Sequence, residues 1–161
     1  MNRLRMAACA ITTVLAVTAC NTAQGSETIA QDEAAEQARE HIDSLMGELP
    51  ATAELEERGG PNVAACDDPT DGGPKDRVIV SDIYWVRGLP IEDNEHNVEL
   101  MHAYWTANGY RVVHDLRPDE LFLTVEHEED AFLVSVQSSM QGSLSISASS
   151  PCVWPEGTPN A

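Results

Sequence analysis

The stretch AFLVSVQSSMQGSLSISAS, residues 131–149, decides the fold. Phe132, Val134 and Val136 alternate with Leu133, Ser135 and Gln137, and Leu144, Ile146 and Ala148 alternate with serines beyond Gln141-Gly142. A period of two with a glycine-bearing break between the runs is the mark of two antiparallel strands, each burying one face. The expected strands are Ala131 to Met140 and Ser143 to Ser149. Working back along the chain, Leu121 to His127 and Tyr110 to Leu116 read as two further strands. They are separated by turns at Glu128-Glu129-Asp130 and Arg117-Pro118-Asp119-Glu120. Before this meander the period changes. Val98, Met101, His102 and Trp105 share one helical face, Leu100 and Tyr104 flank it, Asp93 or Asn94 serves as N-cap, and Asn108-Gly109 closes the helix. Arg77 to Arg87 is a strand with apolar residues on both faces, ended by Gly88-Leu89-Pro90.

Further upstream, Ala35, Ala38, Ile42, Leu45 and Leu49 recur at intervals of three and four, while Asp32, Glu33, Glu36, Glu40 and Asp43 fall off that stripe. This predicts an amphipathic helix over residues 28–49, with Thr28 and Gln31 as a capping box and Pro50 as its stop. Three heptads beginning on alanine suit packing against the domain better than a coiled-coil seam. Residues 50–76 are rich in Gly, Pro and acids, and read as a long acidic loop. The predicted fold class is α+β: a two-layer sandwich of one antiparallel sheet of about five strands. The helix near residues 94–108 is expected across its apolar face, with the N-terminal helix beside it.

The first twenty residues are of a different kind. Arg3 and Arg5 precede an apolar run of about fourteen residues, Met6 to Ala19, too short to span a bilayer as a stable helix. The following Val17-Thr18-Ala19-Cys20 resembles the lipobox of secreted bacterial lipoproteins. That resemblance implies cleavage before Cys20, a diacylglycerol thioether and acyl chains such as palmitate on Cys20, and an address on the extracytoplasmic face of the cell membrane. The organisation expected is a signal peptide over 1–19, a tether over 20–27, and one domain over 28–158 with its strand-helix-four-strand core at 77–152. Removing residues 1–19 from 161 leaves 142, enough for one modest core. The formal charge of −18 becomes −20 because only two bases and no acid leave with the signal. So acidic a chain repels nucleic acid and anionic headgroups, which leaves lipid on Cys20 as its hold on the membrane.

Four cysteines reduce to two, since Cys9 lies within the signal and Cys20 within the lipobox. In an oxidising compartment the remaining Cys66 and Cys152 read as one disulfide; a catalytic thiol or thiolate metal site lacks a CxxC or a third ligand. Such a bridge favours the start of the strand at 77–87 lying near the end of the strand at 143–149.

Chemistry is sparsely marked. There is no GxSxG, HExxH, Walker loop or GxGxxG, so no catalytic residue is assigned and no cofactor expected. His96 and His102, six apart, diverge by about 240° on a helix and miss the i, i+4 spacing of a helical zinc site. His114 and His127, with Glu126, stand near the ends of neighbouring strands; surface histidines are the ordinary reading there, and no metal set is assigned. Asp67-Asp68-Pro69-Thr70-Asp71-Gly72 alternates carboxylates before a glycine. It fails the EF-hand pattern at Pro69 and at Val78, where the bidentate glutamate belongs. Tyr84, Trp85, Tyr104 and Trp105 are the main aromatic concentration and the candidate binding surface. Trp154 reads as packing over the disulfide.

The C-terminal run Ala148-Ser149-Ser150-Pro151-Cys152-Val153-Trp154-Pro155, with Gly109-Tyr110-Arg111-Val112 and the meander, resembles small lipoproteins of unknown function from high-GC actinobacteria. The resemblance spans roughly residues 66–158 and implies an outward-facing anchored domain, with no active site to carry over. The function expected is a non-enzymatic envelope domain that binds a partner protein or small ligand. The alternative is a cell-wall enzyme or metal-binding accessory.

Overall fold

The computed structural model describes residues 26–66 and 75–159; the lipobox with Cys20 and the acidic run Asp67–Gly72 lie outside them. The meander is present as read. Strands β4 (Tyr110–Asp115), β5 (Phe122–His127), β6 (Leu133–Ser138) and β7 (Leu144–Ser149) follow one another across the sheet, and β3 (Val78–Arg87) joins at β7. All pairings are antiparallel. Val136 faces Ile146, Val134 faces Ala148, and Tyr84 faces Ile146 from the other side, so the apolar alternation of each strand falls on one common face. On β3 the burial alternates strictly from Val80 to Arg87. Val80, Asp82, Tyr84 and Val86 are buried, whereas Ser81, Ile83 and Trp85 look out from the uncovered face.

About five strands were expected, and seven form among the described residues. Residues 50–76, read as loop, contain β1 (Glu54–Glu57) and β2 (Asn62–Ala65), both paired antiparallel with the outer edge of β3. They act as one interrupted edge strand. Arg58 to Pro61 bulges out between them with Gly59 and Gly60 at positive φ, while the Arg58 amide still donates to Ile83 O at 3.0 Å. Nearly all their side chains are exposed, so no apolar alternation marked them. The open backbone edge of β3 stabilises them instead, and the glutamates of β1 guard that edge against a foreign strand.

Helix α1 runs only from Gln31 to Asp43, then tightens through a 3-10 turn at Met46–Glu48. The apolar stripe continues across the change: Ala34, Ala38, Ile42, Leu45 and Leu49 are all buried. Gly47, a poor helix former, lies within the tightened segment. The expected capping box does not form. The Thr28 hydroxyl donates to Ile29 O and accepts from the Trp154 amide, and the backbone amide of Gln31, in the first turn, donates to Pro155 O at 3.0 Å. The C-terminal segment thus caps α1 in place of a side chain.

The two helices exchange the expected roles. Helix α1 lies over β3 and β7 at the centre of the sheet, where its alanines permit close approach. Helix α2 (Asn94–Ala107) packs toward β4 and the 3-10 turn, burying Val98, Met101 and Trp105. Gly109, at φ 83°, closes α2 as expected. The disulfide Cys66–Cys152 is present with Cα atoms 5.9 Å apart. It sits where β2 ends and the chain leaves β7, next to the reciprocal backbone pair Val78–Val153, so the start of β3 does lie beside the end of β7. Trp154 packs close by, its indole donating to Ser26 O and Arg77 standing 6.0 Å from its ring.

Candidate functional site

Three elements converge at one end of the helix-covered sheet face. The last turn of α1 supplies His41, next to the buried stripe residue Ile42. His127 is the last residue of β5 and pairs across the strands with Tyr110, the first of β4, which puts both rings on the same face as buried Val125. The β5–β6 turn supplies Asp130. That turn is tight: the His127 amide donates to Phe132 O, the Ala131 amide donates back to His127 O, and Ala131 takes φ 62°. The Phe132 amide fixes one oxygen of Asp130 at 3.1 Å. Beneath them the fully buried Phe132 ring lies 4.8 Å from that of His41.

Asp130 stands between the two imidazoles. His41 Nε2 is 3.1 Å from Asp130 Oδ2 and His127 Nδ1 is 2.8 Å from Asp130 Oδ1. The two contacts differ in kind. The first has hydrogen-bond geometry; in the second the oxygen lies off the direction an N–H would take, and His127 Nδ1 is buried without a well-directed partner. The other nitrogen of His41 is 2.6 Å from the Tyr110 hydroxyl. Side-chain exposures of 10% for His41, 19% for His127 and 33% for Asp130 make this a recessed site open on the carboxylate side.

The electrostatics follow from that placement. Burial pushes the His41 pKa below the ordinary imidazole value against the pull of Asp130, which favours the neutral ring. Burial also acts to raise the Asp130 carboxyl, but His127, the Phe132 amide and His41 outweigh it and leave the pKa below the usual carboxylate value. Burial, with Tyr104 and Asp130 nearby, pushes the Tyr110 phenol up to about 12. A neutral imidazole has a single N–H. Asp130 can only accept, so His41 donates from Nε2 to Asp130 and accepts the Tyr110 O–H at Nδ1.

Around the imidazoles opens a cleft of about 570 Å³, with Gln37, Glu40, Tyr104 and Glu129 on its walls. Across the ridge formed by Gln37, Glu129 and Asp130 lies an apolar hollow of about 430 Å³ against Ile29, Phe132 and Val153. The two hollows adjoin along that ridge as a polar and an apolar half of the surface between α1 and the β5–β6 turn, each within the size range of small-ligand sites.

The aromatic concentration read from the sequence does not form a shared surface. Trp105 is fully buried, and Tyr84 is buried with its hydroxyl donating to Asp82 at 2.6 Å and the Arg39 guanidinium over its ring. Trp85 lies half-buried on the opposite sheet face beneath Arg58 and Arg87, at 4.6 and 5.1 Å. Only Tyr104 reaches the cleft. Residues 84 and 85 had to diverge because neighbours on a strand face opposite sides, and α1 covers the side that Tyr84 takes. His114 and His127 diverge for another reason: a bulge between Val112 and His114 shifts the register, so His114 pairs with Thr124 on the uncovered face, where Glu126 is engaged by Arg111 at 2.8 Å. The sequence did not single out His41, 89 residues before Asp130, because a lone histidine beside an apolar helical stripe carries no pattern. His127-x-x-Asp130 was the available signal, two potential ligands flanking a tight turn. Comparison with known proteins finds no family model, no curated protein and no solved structure that matches this chain.

Proposed function

We propose that this chain is a lipid-anchored envelope domain on the extracytoplasmic face of the cell membrane, held by acyl chains on Cys20, and that it binds a small ligand or partner segment in the groove between α1 and the β5–β6 turn. The observation that carries the binding half is the groove itself, where a recessed imidazole pair and a carboxylate adjoin an apolar hollow. The disulfide supports the address, because such bridges persist in oxidising compartments. Position supports it too. Thr28 and Ile29 line the apolar half, and the eight residue steps from Cys20 to Thr28 reach at most about 30 Å when extended, so an anchored domain holds this groove near the bilayer. Among the described residues no helix is long and apolar enough to cross a membrane. The enzymatic alternative is less well supported, since the serine hydroxyl on the cleft wall, Ser44 Oγ, donates to the His41 carbonyl and not to an imidazole.

Metabolic labelling with an alkyne palmitate, in the host and in a Cys20→Ser variant, tests the anchor. The wild-type chain is expected to carry label in the membrane fraction and the variant to carry none. Equal labelling of both removes Cys20 as the anchor.

A further inference from the structure

We propose that His41 Nε2, His127 Nδ1 and the Asp130 carboxylate form a binding site for a borderline divalent transition-metal ion, of which zinc and copper(II) are the two candidates. The inference rests on the groove described above as the place of binding, and names its ligand class. It does not depend on the lipid anchor.

Geometry comes first. The three donor atoms all lie within 4.8 Å of one another, and zinc–ligand bonds of about 2.0–2.1 Å place tetrahedral ligands about 3.4 Å apart. An ion therefore needs only a small shift of Asp130, whose exposed side faces the cleft. Its donors come from three different elements of a cross-linked fold, a helix end, a strand end and a tight turn, so the site does not have to be assembled from a flexible segment.

The second observation is the orphaned nitrogen. His127 Nδ1 is buried, close to a carboxylate oxygen and yet badly aimed for donating a proton to it. Buried polar atoms in folded proteins nearly always have a directed partner. A cation between the two imidazoles and the carboxylate gives this nitrogen one. Two imidazoles with one carboxylate is a donor set suited to zinc and copper(II); calcium and magnesium prefer all-oxygen cages.

Tyr110 supplies the supporting contact that a metal-binding histidine requires on its far nitrogen. In the metal-free site its O–H is donated to His41 Nδ1. With an ion on Nε2, the imidazole proton sits on Nδ1 and is donated to the phenol oxygen. A hydroxyl can serve in either direction, so His41 stays hydrogen-bonded in both states. Glu40 and Glu129 on the cleft walls, and a formal charge of −18 for the chain, favour approach of a cation. The open side leaves a coordination position for water or for a ligand group in the apolar half of the groove.

The test is calorimetric titration of the untagged chain beginning at Cys20, in detergent and stripped of metal, with zinc chloride and separately with copper(II) chloride. The expected result is one equivalent bound with micromolar affinity or better, retained in excess calcium. Replacing any one ligand (His41→Gln, His127→Gln or Asp130→Asn) is expected to weaken binding at least about tenfold, and Tyr110→Phe to weaken it by a similar factor. His96→Gln, on the exposed side of α2, should change nothing. Circular dichroism of each metal-free variant controls for folding. Should His127→Gln fail to fold, the milder Asp130→Asn decides. Titration of cobalt(II) adds a readout independent of affinity: a visible band that disappears in the ligand variants. Absence of stoichiometric binding by both zinc and copper(II) overturns the proposal. So does binding that survives the combined His41→Gln, His127→Gln change, or zinc binding abolished by excess calcium. Palmitate labelling is indifferent to all of these outcomes, so failure of the metal site and failure of the anchor are read separately.

Discussion

Reducing or removing the Cys66–Cys152 bridge should cost this domain a large part of its stability. The two cysteines are 86 positions apart, so the closed loop holds 87 residues counting both. Chain entropy for such a loop corresponds to somewhat over 4 kcal/mol, and about 2–4 kcal/mol is the usual realised range. Total stability of a domain this size is about 5–15 kcal/mol. The loss is local in its consequences as well. The bridge pins the C-terminal segment that pairs Val153 with Val78, accepts the Gln31 amide at Pro155 and donates from Trp154 to Thr28. Loosening it releases the cap of α1 and one wall of the apolar hollow. Cys152→Ser should lower the melting temperature by roughly 7–15 °C for a folded unit near 130 residues, and Cys66 should then react with a thiol reagent in the native state. Differential scanning calorimetry with thiol counting checks both. An unchanged melting temperature, or two free thiols in natively folded, air-oxidised wild-type material, would refute the reasoning.

Two further outcomes follow from single positions. Gly88 ends β3 at φ 77°, and a Cβ there would lie 1.9 Å from the backbone oxygen of Thr52; Gly88→Ala should therefore destabilise by about 2–4 kcal/mol in a urea titration, and an effect below about 1 kcal/mol would place the turn elsewhere. Hydrogen bonds from Arg117 depress the Asp115 carboxyl to about 2, against about 3.9 in an unfolded chain. A depressed carboxyl stabilises the fold above the unfolded value and loses that contribution as pH falls through the folded one. The advantage of wild type over Asp115→Asn should thus shrink between about pH 5 and pH 2 in urea unfolding, by no more than about 1 kcal/mol for so solvent-accessible a pair.

The legible part of the fold was the part written in side-chain alternation. Phe132, Val134, Val136, Leu144, Ile146 and Ala148 all fall where their period puts them, and the two cysteines correctly bring the start of β3 to the end of β7. What escaped was held by backbone. Strands β1 and β2 expose most of their side chains and owe their existence to the edge of β3, and the cap of α1 comes from Pro155, over a hundred residues away, through main-chain atoms. The choice of which helix covers the sheet centre also escaped, although Ala34 and Ala38 are the residues that let α1 approach closely. The site escaped for a related reason. Its three potential ligands come from elements unremarkable one at a time, and only the sheet register, with Tyr110 opposite His127, brings them under the end of α1.

The central claim, an anchored domain that presents its groove at the membrane, is tested most directly by intact-mass spectrometry of the protein extracted from membranes of its native host, without reduction. The predicted species begins at Cys20, carries the mass of a diacylglyceryl thioether and is lighter by two hydrogens for the Cys66–Cys152 bridge. A chain that begins at Met1, or an unmodified Cys20 in a soluble fraction, would contradict it.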